Sequence, residues 1–199
     1  MHYKSWADKI IELKNADLTL REKLVKSGQL SDGYNKDMKE LHNNNTAILN
    51  DIIDTIGFPT TDKVGSEASE AAWLVIQHSI GQPLLMKKCV KLLETAVSEG
   101  KADAKSLAYL TDRIAVFEGK PQLYGTQYDW DNNGNMSPNL FDDIKKVNER
   151  RKSIGLNSVE EQTDIMRKQV ICDNLLPPKD FEKRKQEIEQ WKKHTGWTK

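Results

Sequence analysis

His78 stands near the end of the most hydrophobic segment of the chain, "SEASEAAWLVIQHSIG". A helix C-terminus favours the imidazolium and burial favours the neutral ring, so this position can tune a histidine for general acid or base work. It equally suits a histidine that caps a helix. Asp112 and Arg113 interrupt a second apolar run, "LAYLTDRIAVF". Adjacent helical side chains point about 100° apart, so these two need separate partners. A buried charge left unpaired is strongly destabilising, and Arg150 and Arg151 of "NERRKSIGL" are the candidate partners for Asp112. The group reads either as a salt bridge between helices or as an anion-holding, catalytic cluster.

A third group lies in "GKPQLYGTQYDWDNNGNMSP", residues 119–138. Gln122, Tyr124 and Gln127 carry amides and a phenol, which orient a polar ligand through directional hydrogen bonds or tie a loop to a helical body. Gly125 between them permits a bulge or a close backbone approach. Further on, Asp129, Asp131, Asn133 and Gly134 match the first half of a calcium loop, but Leu140 stands where a bidentate glutamate is needed. A glycine-containing hairpin turn explains the same residues.

Several devices are absent from the sequence: a glycine-rich phosphate loop, H-E-x-x-H, G-x-S-x-G and paired cysteines. No cofactor is therefore expected. His2, His42, His78 and His194 are too far apart along the chain to suggest a metal site by spacing. Cys89 and Cys172 suggest neither a disulfide framework nor a zinc site, and read as inert thiols. Lys plus Arg number 30 and Asp plus Glu number 30, so no bulk positive field draws nucleic acid or an anionic membrane. The sequence has no signal-peptide run and no membrane-spanning run, which makes a cytoplasmic location the expectation.

The elements that must position these residues are helical. Trp6, Ile10, Leu13, Leu20 and Leu24 mark one apolar stripe, which "SGQLSDG" breaks. Tyr34, Met38, Leu41, Ile48, Ile52 and Ile56 mark a second, and the two stripes predict a helical hairpin. The "HNNN" run at 42–45 leaves the second helix open to a kink, because asparagine side chains compete for backbone hydrogen bonds. Three more helices follow, over "SEASEAAWLVIQH", "LLMKKCVKLLETAV" and "AKSLAYLTDRIAVF". Alternation at Tyr124, Thr126, Tyr128 and Trp130 favours extended chain, with "DNNGN" as a turn. "NLFDDIKKVNERRKSIGL" returns to helix, and a charged C-terminal helix either lies across the body or projects from it. The expected fold is mainly α: a bundle of helices with one small β-hairpin. Its expected parts are an N-terminal hairpin over 1–56, a core over 57–157 and a C-terminal extension over 158–199.

"AAWLVIQHS", "LAYLTDRIAVFEGKPQLYGTQYDW" and "VNERRKSIGL" together resemble a family of bacterial proteins of unknown function, over about residues 57–157. The resemblance implies no activity. It does group His78, Asp112, Arg113, Gln122, Tyr124, Gln127, Arg150 and Arg151 as signature positions, and so implies one polar pocket. The resulting expectation is a small enzyme doing hydrolysis or group transfer on a polar, anionic substrate. His78 serves as acid or base, Asp112 orients it or an arginine, and the remaining six hold the substrate. The alternative is a non-catalytic module that binds a small ligand or a peptide through the same pocket.

Overall fold

The computed structural model describes residues 3–29 and 35–199. His2, Tyr34 and the second half of the "SGQLSDG" break lie outside the described residues. The chain divides into two compact units, Met1–Asp103 and Ala104–Lys199. This division differs from the expected boundaries at 56 and 157, because the N-terminal helices bury their stripes against the helix that carries His78.

In the first unit, α1 (Lys4–Lys26) buries Ala7, Ile10, Leu13, Asp17 and Leu24 on one face. That face packs against α2 (Lys36–Ile56) and α4 (Ser66–His78). The Asn35 side chain caps α2 by accepting from the amides of Asp37 and Met38. The expected kink at "HNNN" does not occur, and α2 runs unbroken to Ile56. Its asparagines find tertiary partners instead: Asn45 donates to the Leu13 carbonyl at 3.0 Å, and the Asn43 side chain accepts from Gln82 at 3.1 Å. A short α3 (Thr61–Val64) leads into α4, which buries Ala68, Ala71, Ala72, Val75 and Ile76. Pro83 begins α5 (Pro83–Ser98), where it costs no helical hydrogen bond.

In the second unit, α6 (Ala104–Phe117) is followed by two three-residue strands, β1 (Tyr128–Trp130) and β2 (Met136–Pro138). They pair antiparallel with Tyr128 opposite Pro138 and Trp130 opposite Met136. The hairpin is therefore shorter than the alternation from Tyr124 suggested. The chain from Leu123 to Thr126 is not strand, because the amides of Leu123, Tyr124 and Thr126 turn inward to Asp112 of α6. Then come α7 (Ile144–Ser153), α8 (Val159–Cys172) with a Ser158–Glu161 capping box, and α9 (Phe181–Thr195). The C-terminal helix is anchored within this unit: Phe117 meets Trp191 edge-on and Trp197 at a tilt, with ring centroids 5.4 and 5.0 Å apart. The fold is mainly α with one two-stranded antiparallel sheet. Among the described residues no helix is long and apolar enough to cross a membrane.

Candidate functional site

Asp17 breaks the apolar face of α1 four residues after Leu13 and seven before Leu24, so helical geometry carries it into the core. Its side chain is only 1% exposed, and two imidazoles meet it there. His78 Nδ1, from the last residue of α4, lies 2.8 Å from Asp17 Oδ2. His42 Nε2, from α2, lies 2.9 Å from the same oxygen. The two rings are tilted by 37°, with centroids 5.2 Å apart. The other carboxylate oxygen, Oδ1, is buried without a hydrogen-bond partner. Burial by itself would raise the Asp17 pKa. The close contacts of His42 and His78, with the coulombic pull of both rings, hold it well below the usual carboxylate range.

The three side chains differ in access. His42 is 10% exposed and His78 is 30% exposed, so the centre opens to solvent on the His78 side. One nitrogen of His78 faces Asp17, which leaves Nε2 as the atom that can meet a reactant. Thr46 lies one turn from His42 on α2, and its hydroxyl sits 2.7 Å from that of Ser79, the residue after His78. Thr46 also lines a cleft of about 340 Å³ with Asn43, Asn50, Gln82, Leu85 and Lys88. Lys88 Nζ donates to Asn50 at 2.9 Å and pairs with Asp54.

Asp112 is fully buried in the second unit, and its partners are not arginines. Its oxygens accept from the amides of Leu123 at 2.8 Å and Tyr124 at 3.1 Å, and from the amide and hydroxyl of Thr126 at 2.9 and 3.0 Å. The backbone curls around this carboxylate, with Gly125 at φ 60° where a side chain is strained. Burial outweighs these hydrogen bonds and raises the Asp112 pKa. The expected Asp112–arginine pairing thus gives way to a carboxylate that shapes a loop. Arg151, also buried, donates to the carbonyls of Tyr124 at 2.7 Å and of Asn157. Arg150 donates to the Leu123 carbonyl at 3.1 Å and pairs with Asp142 at 2.9 Å. Arg113 Nε donates to Gln127 Oε1 at 3.1 Å, and Gln122 exchanges hydrogen bonds with the Gln127 backbone. The residues of "QLYGTQ" and "ERR" hold one another within the second unit, whereas His78, grouped with them by the resemblance, belongs to the first.

The calcium-loop residues have protein partners as well. Asp131 Oδ1 accepts from the amides of Asn133 and Asn135, its Oδ2 accepts from the Ser137 hydroxyl, and Asp129 pairs with Arg184 at 2.9 Å. This is the hydrogen bonding of an aspartate-stabilised turn. Gly134 at φ 75° completes it.

Sequence reasoning selected His78 but missed both of its partners. His42 lies four residues after Met38 and seven before Leu49, on the buried face of α2, just as Asp17 lies on that of α1. A charged or titratable residue inside an otherwise apolar stripe was the available signal.

Fold and centre together define a two-unit, mainly α protein with a buried Asp–His–His cluster in its first unit. The chain belongs to the family of unknown function DUF6624, whose family model matches residues 6–171. The match takes in α1 and α2, beyond the stretch that carried the resemblance, and so includes Asp17 and His42. No curated protein and no solved structure matches the chain.

Proposed function

We propose that the protein is a small enzyme that does acid–base chemistry, hydrolysis or group transfer, on a polar substrate. The observation that carries this reading is the convergence of two imidazoles, from different helices, on one oxygen of a buried carboxylate. Such an arrangement is costly to build: it removes a charge from water and leaves Oδ1 without a hydrogen bond. His78 is the acid–base group, since it is the member of the trio with the most access to solvent. Asp17 holds its Nδ1, fixing the ring and its tautomer so that Nε2 works on the substrate. Positioning falls to the cleft at Thr46, where Asn43, Asn50 and Gln82 supply amides and Lys88 supplies a cation for an anionic group. The arginines of the second unit make hydrogen bonds within their own unit, so this reading gives them the loop around Asp112 to hold. A bacterial cytoplasm, where Cys89 and Cys172 persist as free thiols, is part of the same proposal.

The test is a panel of chromogenic phosphate monoesters, carboxylic esters and amides, run with the wild type and His78→Gln. We expect turnover of at least one class, and a loss of about 100-fold or more in the variant at unchanged melting temperature. Equal turnover by both proteins removes His78 from the chemistry. Turnover by neither, with a panel compound that binds and raises the melting temperature, makes the protein a receptor instead.

A further inference from the structure

We propose that Asp17, His42 and His78 bind a divalent first-row transition-metal ion of the zinc type, which makes the acid–base centre a metal centre. This rests on the reading of the trio as the reaction centre. The three ligand atoms come from three helices and all lie within 4.8 Å of one another. Among the described residues no other group of three histidine, cysteine, aspartate or glutamate side chains gathers in this way.

Donor chemistry selects the ion. Two imidazole nitrogens and one carboxylate suit zinc and its first-row neighbours, whereas calcium and magnesium take oxygen ligands in larger number. The two carboxylate–imidazole spacings need little change. Ligands about 2.0 to 2.1 Å from a tetrahedral ion stand about 3.3 Å apart, so contacts of 2.8 and 2.9 Å open by about half an ångström to admit one. Asp17 Oδ1 is a buried acceptor with no hydrogen bond, a position that a cation fills better than a hydrogen-bonded network does. Three protein ligands with solvent access on one side leave a coordination position for water. A zinc ion held there would supply a water acidic enough to act as the base near neutral pH, the role given above to His78.

The experiment is a titration of the full-length, chelator-treated protein with Zn²⁺ in competition with a chromophoric chelator, repeated with Co²⁺ for its visible absorption. We expect one ion per chain, with a cobalt spectrum of a four- or five-coordinate site. His42→Ala and His78→Ala should each weaken binding at least about tenfold. His194→Ala, which alters an exposed histidine of the second unit, should leave it unchanged. Melting curves without metal verify that each variant is folded; His78→Gln, at the more exposed ligand, stands in if an alanine variant is not. Absence of stoichiometric binding, or binding that survives both ligand substitutions, overturns the proposal. The two readings separate cleanly. Zinc bound without turnover of any substrate supports the metal site and removes the enzyme. Turnover that persists in chelator, by a chain that binds no zinc, does the reverse.

Discussion

Asp17 Oδ2 and His78 Nδ1 lie 2.8 Å apart although the two residues stand 61 positions apart in the chain. The pair joins the middle of one helix to the last residue of another, and His42 closes on the same oxygen from a third. The first prediction concerns what this convergence costs. Asp17→Ala removes the charge and the unpaired oxygen together with the hydrogen bond to His78 Nδ1, and it leaves two imidazoles facing the gap where their carboxylate stood. Removing one partner of a buried ionic group is costly, so we expect a loss of about 3 kcal/mol by denaturant titration. A change under about 1 kcal/mol would mean that the trio contributes little to holding the fold.

Asp112 gives an expectation that is local to one loop. Both of its oxygens accept from groups of the Leu123–Thr126 loop, and an asparagine side chain turns an N–H toward some of those donors. Asp112→Asn should destabilise the protein by about 3 kcal/mol, with amide exchange rising first at Leu123, Tyr124 and Thr126. Hydrogen exchange read by NMR distinguishes this from a loss spread over the whole unit.

At Gly125 the backbone is in the left-handed region, and a Cβ there would stand 3.3 Å from Val159 Cγ2. Strain and crowding act in the same direction. Gly125→Ala should cost about 1 to 2 kcal/mol, measured as a shift in the urea midpoint at unchanged slope.

Cys89 and Cys172 should differ sharply in reactivity. Burial pushes the Cys89 thiol up to about 12, while Cys172 is exposed. A thiol reagent at pH 8 should therefore label Cys172 alone in the native protein, and both residues after unfolding. The same shift sets a pH dependence. The unfolded thiol releases its proton near 9.0 and the folded one only near 12, so Cys89 leaves native stability whole below pH 9 and lowers it as pH rises from 9 toward 12. Cys89→Ala should flatten this alkaline decline, as followed by melting temperature against pH.

The amphipathic stripes, the glycine-containing turn at "DNNGN" and the mainly α class follow from the order of residues alone, because helix periodicity and turn propensity act within a few positions. The sequence by itself also marked His78, and it marked the polar set from Asp112 to Arg151. What each group touches was decided only in three dimensions. Asp112 turned to backbone amides rather than to Arg150 or Arg151, since amides of a neighbouring loop satisfy a buried carboxylate as well as a guanidinium does. Asp17 sat unremarked in its stripe, and His42 was set aside on its spacing from the other histidines, until α1, α2 and α4 packed together. Periodicity tells which face of a helix is buried, but helix packing alone determines which residues of two such faces meet.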